Sequence, residues 1–511
     1  MSEKIFDENK IKEISLLFGY FFELNYKLLK QSEDKKSEFT IENVFDFYIS
    51  SHVISFLKNL YLGFSTSKGT CLNARCIIEG LALKKMIEKN NMPKNALELL
   101  KLQDSLIEMK QYNKFIKLLN FKTIFPNDFN EKYEHSKKMY YDLLSEKYSS
   151  NKIKRIINSN IPFLCNDKLN YYGLIEDYLD ADCLKYYSLL SIVIHPNSNE
   201  KISSDFINNL SLWIINLLKD NYSNLDKIND SYTLENYIPS ILSSDCACLY
   251  VNTIKNECML LDEIEQSFTN CYGNNYVSNT ICSISILLKE MSLDKILGLS
   301  EQMKCKFKPL MELLSSFFYI YCMSGNVTKR FKLLQMHDEL TMNKAINKNI
   351  NFNKSHKIYL SIYPNGVDQK LFEKNFLKPT GFLIDEKGDY KNITQLVKII
   401  TDLFEKGNEK SLRPNIMMID YVESQMLSHA NGYMWFANSG AWGDINNIYL
   451  DINAILYVMF KEIVDLFQND KELICKEKYK IVINSLNKFS ESLKETNKII
   501  IKLQSLPQMQ L

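Results

Sequence analysis

The feature that most constrains the fold of this chain is an internal repeat. The stretch "ARCIIEGL" around Arg75 matches "FKPLMELL" around Lys308, and "LLKLQDSL" matches "LLQMHDEL". A third stretch, "YYSLLSIVIH" ending at His195, matches "DYVESQMLSH" ending at His429. All three pairs are separated by nearly the same distance along the chain, which unrelated segments rarely achieve. The pattern predicts a tandem duplication.

The hydrophobic periodicity predicts helices nearly throughout. Segments such as "IKEISLLFGYFFELNYKLLK" and "INAILYVMFKEIVDLF" place apolar residues three and four apart, and Gly (15) and Pro (10) are scarce among 511 residues. We therefore expect an all-α fold of two tandem homologous helical bundles. The predicted boundaries are 1–225 for repeat 1, 226–245 for a linker, 246–470 for repeat 2 and 471–511 for a C-terminal helix.

One region of the second repeat has a strand-like pattern. "KIYLSIYPNG" is followed by "TGFLIDEKGDYKN", and the Pro, Gly and Asp residues between the apolar runs are typical of turns. This pattern predicts a small β-hairpin insertion near residues 357–392.

Composition excludes several classes of protein. The net charge is +1, so no global field favours nucleic acid or membrane. The start "MSEKIFDENK" lacks a signal core, and the longest apolar runs fall short of the roughly 18 residues that span a bilayer. We expect a cytoplasmic protein with reduced cysteines and no membrane association.

Known motifs of metal and cofactor sites are missing from the sequence. It contains no P-loop, no G-x-S-x-G and no H-E-x-x-H. Cys246 and Cys248 have no His close by, and the adjacent residues of "MHDEL" (337, 338 and 339) point in different directions on a helix. We expect no bound metal and no cofactor.

The repeat preserves a set of polar residues that could form a site. Each copy has a cation-x-x-x-Glu helix and, later, a Tyr-x-x-x-polar-x-x-x-His helix, and residues four apart share one helix face. In the first copy these candidate catalytic residues are Arg75, Glu79, Tyr187, Ser191 and His195. Their second-copy counterparts are Lys308, Glu312, Tyr421, Gln425 and His429.

The simplest arrangement brings both polar stripes together, with Glu79 orienting His195 and Arg75 balancing the carboxylate. Two interpretations stay open. Buried Arg-Glu-His-Tyr networks can serve only to fix helix register. Alternatively, His is suited to proton transfer and Arg to holding a phosphate, which together suit metal-independent RNA cleavage. The first copy is the stronger candidate, because Lys308 cannot reproduce the bidentate fork of Arg75.

The second copy carries an aromatic-rich loop directly after His429. Its side chains either stack bases or simply cover the core. They are Tyr433, Trp435, Phe436 and Trp442.

At these positions the chain resembles a family of uncharacterised bacterial helical proteins, whose signature is matched by Arg75-x-x-x-Glu79 and by Tyr187-x-x-x-Ser191-x-x-x-His195. That family in turn distantly resembles HEPN-type and abortive-infection proteins. The resemblance implies an all-helical bundle acting as an RNase in phage defence, with a site built across a dimer interface that a fused pair could reproduce. The chain departs from the HEPN motif R-x(4–6)-H, because no Arg lies that close before His195 or His429.

We therefore expect an abortive-infection-type effector acting on RNA. The alternative is a non-catalytic helical sensor or scaffold that binds a protein or a nucleotide. Its partners would be RNA or a phage or host protein, and self-association into a homo-oligomer stays open. An open cleft at His195 would favour catalysis or ligand binding, whereas complete burial of the imidazole would favour the scaffold.

Overall fold

The computed structural model describes residues 6–33, 39–90, 95–119, 129–146, 148–158, 170–195, 202–222, 233–236, 276–296, 299–320, 327–345, 348–378 and 380–398, with single positions elsewhere that include Tyr421 and Ser424. Within these residues the chain is helical and forms no β-strand, so the predicted all-α class is confirmed. Most of the predicted linker and of the C-terminal helix lies outside them. None of the described helices combines the length and apolar character needed to cross a membrane.

The part of the chain before residue 223 contributes a first group of helices. They are α1 (Glu8–Glu33), α2 (Ile41–Tyr61), α3 (Lys68–Lys89), α4 (Ala96–Leu119), α5 (Phe129–Ser145), α6 (Ser150–Asn158), α7 (Tyr171–Tyr178), α8 (Ala181–Ile194) and α9 (Ser204–Asn221).

A second group of helices follows from residue 276. They are α10 (Tyr276–Ile296), α11 (Ser300–Phe318), α12 (Val327–Ala345), α13 (Asn353–Ile362) and α14 (Gln369–Phe376), followed by a 3₁₀ turn at Gly381–Leu383.

Helix α3 lies at the centre of the described fold. It contacts α2, α7 and α8 from its own half and α10 and α11 from the other half. Ser67 caps its N-terminus by accepting a 2.9 Å hydrogen bond from the backbone N–H of Thr70. Gly80 lets α2 approach closely, because a Cβ atom there would lie 2.6 Å from Ile49 Cγ1. Helix α3 is buried around most of its circumference, and its buried residues include polar and charged side chains such as Asn73, Arg75 and Glu79.

The predicted β-hairpin at 357–392 is wrong for the described residues. "NKSHKIYLSI" forms α13, and Asp368 caps α14 by accepting a hydrogen bond from the Leu371 N–H at 3.0 Å. Only a turn remains of the hairpin, where Ile384 and Tyr390 form an isolated antiparallel bridge around Gly388 at φ +78°. Short apolar runs fit either period, and here packing onto a shared aromatic core favours the helix.

A cluster of buried charges lies between the two halves. The Asp294 carboxylate on α10 accepts hydrogen bonds from Lys58 on α2 and Lys306 on α11, and from Ser55 Oγ at 3.1 Å. Glu290, one turn before Asp294, lies 3.5 Å from Lys306 Nζ. All five side chains are buried. Such groups are costly to bury unless they are paired, so the cluster ties the halves together in one arrangement.

Candidate functional site

The candidate site begins where α8 ends. Asp180 caps its N-terminus by accepting from the Cys183 N–H at 2.7 Å, and the helix ends at Ile194. His195 adopts an extended conformation (φ −73°, ψ 159°), as expected for a residue followed by proline. Lys68, at the start of α3, donates to the carbonyl of His195 at 2.8 Å. The end of α8 is therefore fixed, and the imidazole is held at the boundary between the halves.

The imidazole of His195 pairs with a carboxylate from the opposite half. Its Nδ1 lies 2.8 Å from Oε2 of Glu312 on α11. The expected partner, Glu79, is engaged elsewhere: its Oε1 accepts from the Tyr187 hydroxyl at 2.9 Å and lies 3.5 Å from Arg75 Nε. The carboxylate that orients His195 therefore comes from α11 and not from α3.

The Glu312 carboxylate also contacts a tyrosine. The Tyr421 hydroxyl donates to Oε1 of Glu312 at 3.5 Å, a long counterpart of the Tyr187–Glu79 bond. Gln425 and His429 lie outside the described residues. So do the aromatic residues that follow His429, namely Tyr433, Trp435, Phe436 and Trp442.

Buried charges surround this carboxylate. Burial alone would raise the pKa of Glu312, but His195, Lys308 and Arg75 outweigh it and hold the pKa below its ordinary value of 4.5. Burial lowers the pKa of Lys308, and the charge of Arg75 acts in the same direction while Glu312 opposes it. Arg75 itself has a raised pKa, because Glu79 and Tyr187 outweigh the effect of burial. Glu312 is therefore an anion that its surroundings stabilise.

His195 opens onto a cleft between the halves. The side chain is 30% exposed, whereas that of Glu312 behind it is 1% exposed. The cleft has a volume of about 890 Å³ and lies between α8 and α12. Its lining includes Tyr172, Lys185, Ser188, Ser191, His195, His337, Asp338, Thr341 and Lys344. The imidazole thus meets the condition that favours catalysis or ligand binding over a sealed core.

The candidate residues Arg75, Glu79 and Tyr187 are buried and do not line the cleft. Arg75 is 3% exposed, Glu79 is fully buried, and neither lines the cleft. Burial and the nearby Glu79 raise the pKa of the Tyr187 hydroxyl well above 10, so it stays a hydrogen-bond donor. Ser191 lines the cleft, but its hydroxyl donates to the Tyr187 carbonyl at 2.9 Å. The structure therefore brings His195 and Ser191 to the cleft and leaves the Arg75–Glu79 pair buried outside its lining.

The other serine and threonine hydroxyls that line the cleft are used in the same way as that of Ser191. Ser188 Oγ donates to the Leu184 carbonyl, and Thr341 Oγ1 donates to the His337 carbonyl, each at 2.8 Å. Such i−4 bonds consume the only proton of the hydroxyl. None of these three groups is oriented as a nucleophile toward His195.

Sequence reasoning missed several groups that line the cleft. Lys185 and Lys344 are exposed on opposite walls, and Tyr172 presents an exposed ring. The only sequence signal for these groups is helical spacing on α8, where Lys185 and Ser188 precede Ser191 on one face of the helix. His337 belongs to the "MHDEL" stretch, and among the described residues no group of three or more ligands could hold a metal there.

The comparisons with known proteins find no counterpart for this arrangement. No family model matches the chain, and neither the curated proteins nor the solved structures give a match.

Proposed function

We propose that the chain is an abortive-infection-type effector that cleaves RNA without a metal ion, in a HEPN-like manner, with His195 as the proton-transfer group. The observation that carries this proposal is the pairing of a partly exposed imidazole with a buried carboxylate at the wall of an open cleft. The phage-defence setting rests on the sequence resemblance alone.

The His195–Glu312 pair has the features of a proton-transfer site. A carboxylate accepting from Nδ1–H fixes the ring orientation and the tautomer. A ligand in the cleft would then exchange its proton with Nε2, which acts as a general base when neutral. Glu312 also stabilises the imidazolium that forms when the proton is taken.

The cleft suits a phosphodiester. Exposed Lys185 and Lys344 on opposite walls provide positive charge, against one carboxylate at Asp338. The exposed ring of Tyr172, which meets Tyr187 edge-on at 5.1 Å, offers a surface for a base. Because the lining serine and threonine hydroxyls are donated to backbone carbonyls, the nucleophile would be a hydroxyl of the substrate itself or water.

The buried residues then act by positioning. Arg75 cannot reach a phosphate in the cleft from its 3% exposed position, so we assign it to balancing Glu79 and Glu312 from behind. This differs from the direct phosphate contact expected from its sequence. Lys308 has the same supporting role in the second half.

The proposal includes a tandem duplication. Helices α2 and α10 both have 21 residues and begin 235 positions apart, at Ile41 and Tyr276. Tyr187 donates to Glu79, and Tyr421 donates to Glu312, so each half repeats the same tyrosine–glutamate contact. These correspondences support two related bundles that dock face to face, with His195 reaching across to its neighbour's glutamate.

A non-catalytic sensor is the second candidate. The observation that favours it is the burial of Arg75, Glu79, Lys308 and Glu312, since a sealed ionic network can serve only to fix how two halves dock. In that case the cleft would bind a nucleotide without cleaving it.

The test is an RNA-degradation assay on the purified full chain, with bulk RNA and tRNA and with chelator present. His195→Ala is compared with wild type and with His135→Ala, which removes an exposed imidazole on α5, outside the cleft. Cleavage by wild type and His135→Ala but not by His195→Ala, at unchanged melting temperature, would support the nuclease. Intact RNA with wild type, together with saturable nucleotide binding that His195→Ala weakens, would favour the sensor.

A further inference from the structure

A buried lysine at the start of α3 connects the candidate site to the rest of the fold. Lys68 is the first residue of α3, and its side chain reaches the end of α8. There its Nζ donates to the carbonyl of Val193 at 3.0 Å and to that of His195 at 2.8 Å. The residue is 3% exposed. A buried amine needs hydrogen-bond partners, and here two of them belong to the helix that carries the candidate base.

These two carbonyls need a donor because α8 stops at this point. The helix ends at Ile194, and Pro196 has no N–H with which to continue it. The carbonyls of the last turn therefore lack the N–H partners that a longer helix would supply. A lysine suits this place, because its positive charge also interacts favourably with the C-terminal end of a helix dipole.

The charge of Lys68 is unfavourable for the helix to which it belongs. The residue lies in the first turn of α3, where the helix dipole favours negative charge and disfavours a cation. The benefit of the lysine must therefore come from its neighbours. The contacts of Nζ place that benefit at the end of α8.

The turn that carries Lys68 is fixed on both sides. Thr70 Oγ1, in the same turn, accepts from Asn59 Nδ2 on α2 at 3.0 Å. Gly69 packs against the buried carboxylate of Glu290 on α10, where a Cβ atom would overlap Oε2. Lys68 thus connects the end of α8 to a turn that is held by α2 and by the charge cluster between the halves.

We propose that Lys68 is a positioning residue of the reaction in which His195 transfers the proton. This inference rests on the proposed function. His195 is held at two points, because Lys68 fixes its carbonyl and Glu312 fixes its Nδ1, each at 2.8 Å. Together the two contacts determine how the imidazole lies against the cleft that it lines. Without Lys68 the last turn of α8 loses one of these contacts, and the ring moves relative to the Glu312 carboxylate.

A small displacement of the ring is enough to slow the reaction. A proton-transfer group acts within hydrogen-bond reach, about 2.6–3.2 Å between heavy atoms. A displacement of about 1 Å can slow a reaction about 10²-fold. Lys68 itself does not line the cleft, so it has no direct contact with a bound substrate. We therefore expect Lys68→Met to lower kcat by about 10–10²-fold and to leave KM nearly unchanged.

The first test observes the ring by NMR and needs no activity. The chain has six histidines, so ring-¹⁵N-labelled histidine gives few signals, and that of His195 is the one lost in His195→Ala. At alkaline pH, where imidazoles are neutral, the Glu312 carboxylate holds the proton of His195 on Nδ1 in the wild type. We expect Lys68→Met to convert this signal into that of mixed Nδ1–H and Nε2–H tautomers, with the other histidine signals unchanged.

Lys329→Met is the matched control for both tests. Lys329 Nζ also donates to a carbonyl in the last turn of a helix, that of Ser361 on α13. Neither residue lines the cleft. The control variant therefore removes the same kind of bond at a place that does not touch His195, and it should keep the wild-type NMR signal and the wild-type rate.

The second test measures the kinetics of cleavage with tRNA as the substrate. Lys68→Met should show the loss of kcat at nearly unchanged KM. If Lys68 acts through His195, then adding Lys68→Met to His195→Ala should lower the residual rate no further, because the group that it positions is already absent.

The outcomes separate the positioning role from the proposed function. An unchanged His195 signal in folded Lys68→Met would overturn the role of Lys68, as would a loss of rate that persists undiminished in the His195→Ala background. If Lys68→Met does not fold, Lys68→Gln replaces it with the same expected change, because the shorter amide cannot reach both carbonyls. If wild type cleaves no RNA, the proposed function fails, and the NMR comparison alone decides whether Lys68 holds the ring.

Discussion

Replacing Asp294 by Asn should destabilise the protein far more than replacing Lys58 by Met, although the two side chains form one buried ion pair. Asp294 also accepts from Lys306, so loss of its charge leaves two buried ammonium groups. The other carboxylate near these two lysines is that of Glu290. Burial raises its pKa, so Glu290 is a poor replacement for the negative charge of Asp294. Removing one partner of a buried pair costs about 3–5 kcal/mol, and we expect Asp294→Asn to reach that range.

Lys58 differs because its surroundings already disfavour its charge. Burial lowers its pKa from 10.5 to about 8, and the neighbouring Lys306 adds to the effect while Asp294 opposes it. This difference corresponds to about 3 kcal/mol against the ammonium form at neutral pH. Met fills similar space without a charge, and Asp294 keeps Lys306. We therefore expect Lys58→Met to change the free energy of unfolding by less than about 1 kcal/mol.

The pH dependence gives a second measurement of the same effect. A cation with a lowered pKa in the folded state binds its proton more tightly in the unfolded chain, so its contribution to stability rises between about pH 8 and 10.5. Urea unfolding should show this rise in wild type and in Lys289→Met, a control that changes a partly exposed lysine on α10. Lys58→Met should lack it. A larger loss for Lys58→Met than for Asp294→Asn would refute this account of the cluster.

Three further predictions concern the site and its support. The pKa of Glu312 lies below 4.5 in the folded state, so its stabilising contribution is present above about pH 4.5 and is lost as the pH falls through the folded value. The free energy of unfolding should therefore fall less steeply with decreasing pH in Glu312→Gln than in wild type. Gly80→Ala places a Cβ atom 2.6 Å from Ile49 Cγ1, and thermal denaturation should show a loss of about 1–3 kcal/mol in the free energy of unfolding. An unchanged stability would mean that α2 shifts to accommodate the methyl group. Tyr187→Phe removes the donor to a buried carboxylate and should cost about 1–3 kcal/mol in urea, whereas Ser188→Ala should cost less than about 1 kcal/mol.

Local features of the fold were predictable from the sequence. The end of α8 at Ile194 follows from Pro196, because His195, the residue before the proline, avoids the helical conformation. The contact between Arg75 and Glu79 follows from their spacing of four residues on one helix. The hairpin prediction fails at its first segment, 357–362, which belongs to helix α13, because a short run with three aromatic or β-branched positions fits both periods.

The partner of His195 could not be predicted in the same way. Glu79 and Glu312 occupy corresponding positions in the predicted repeat, and sequence spacing gives no reason to choose between them. The choice depends on how the two halves dock, since α3 contacts both α8 and α11. The contribution of α12 to the cleft depends on the same docking, so the sequence gives no signal that His337 lines it.

The buried charges between the halves have a consequence for the site. An apolar interface tolerates sliding of one helix along another, whereas paired charges fix a single register. Asp294 meets Lys58 from α2 and Lys306 from α11, and α11 also carries Glu312. A slip of one helical turn, about 5.4 Å, would break the 2.8 Å contact between Glu312 and His195 together with the cluster. The cluster therefore contributes alignment more than stability, and it is this alignment that places a carboxylate from one half behind an imidazole from the other.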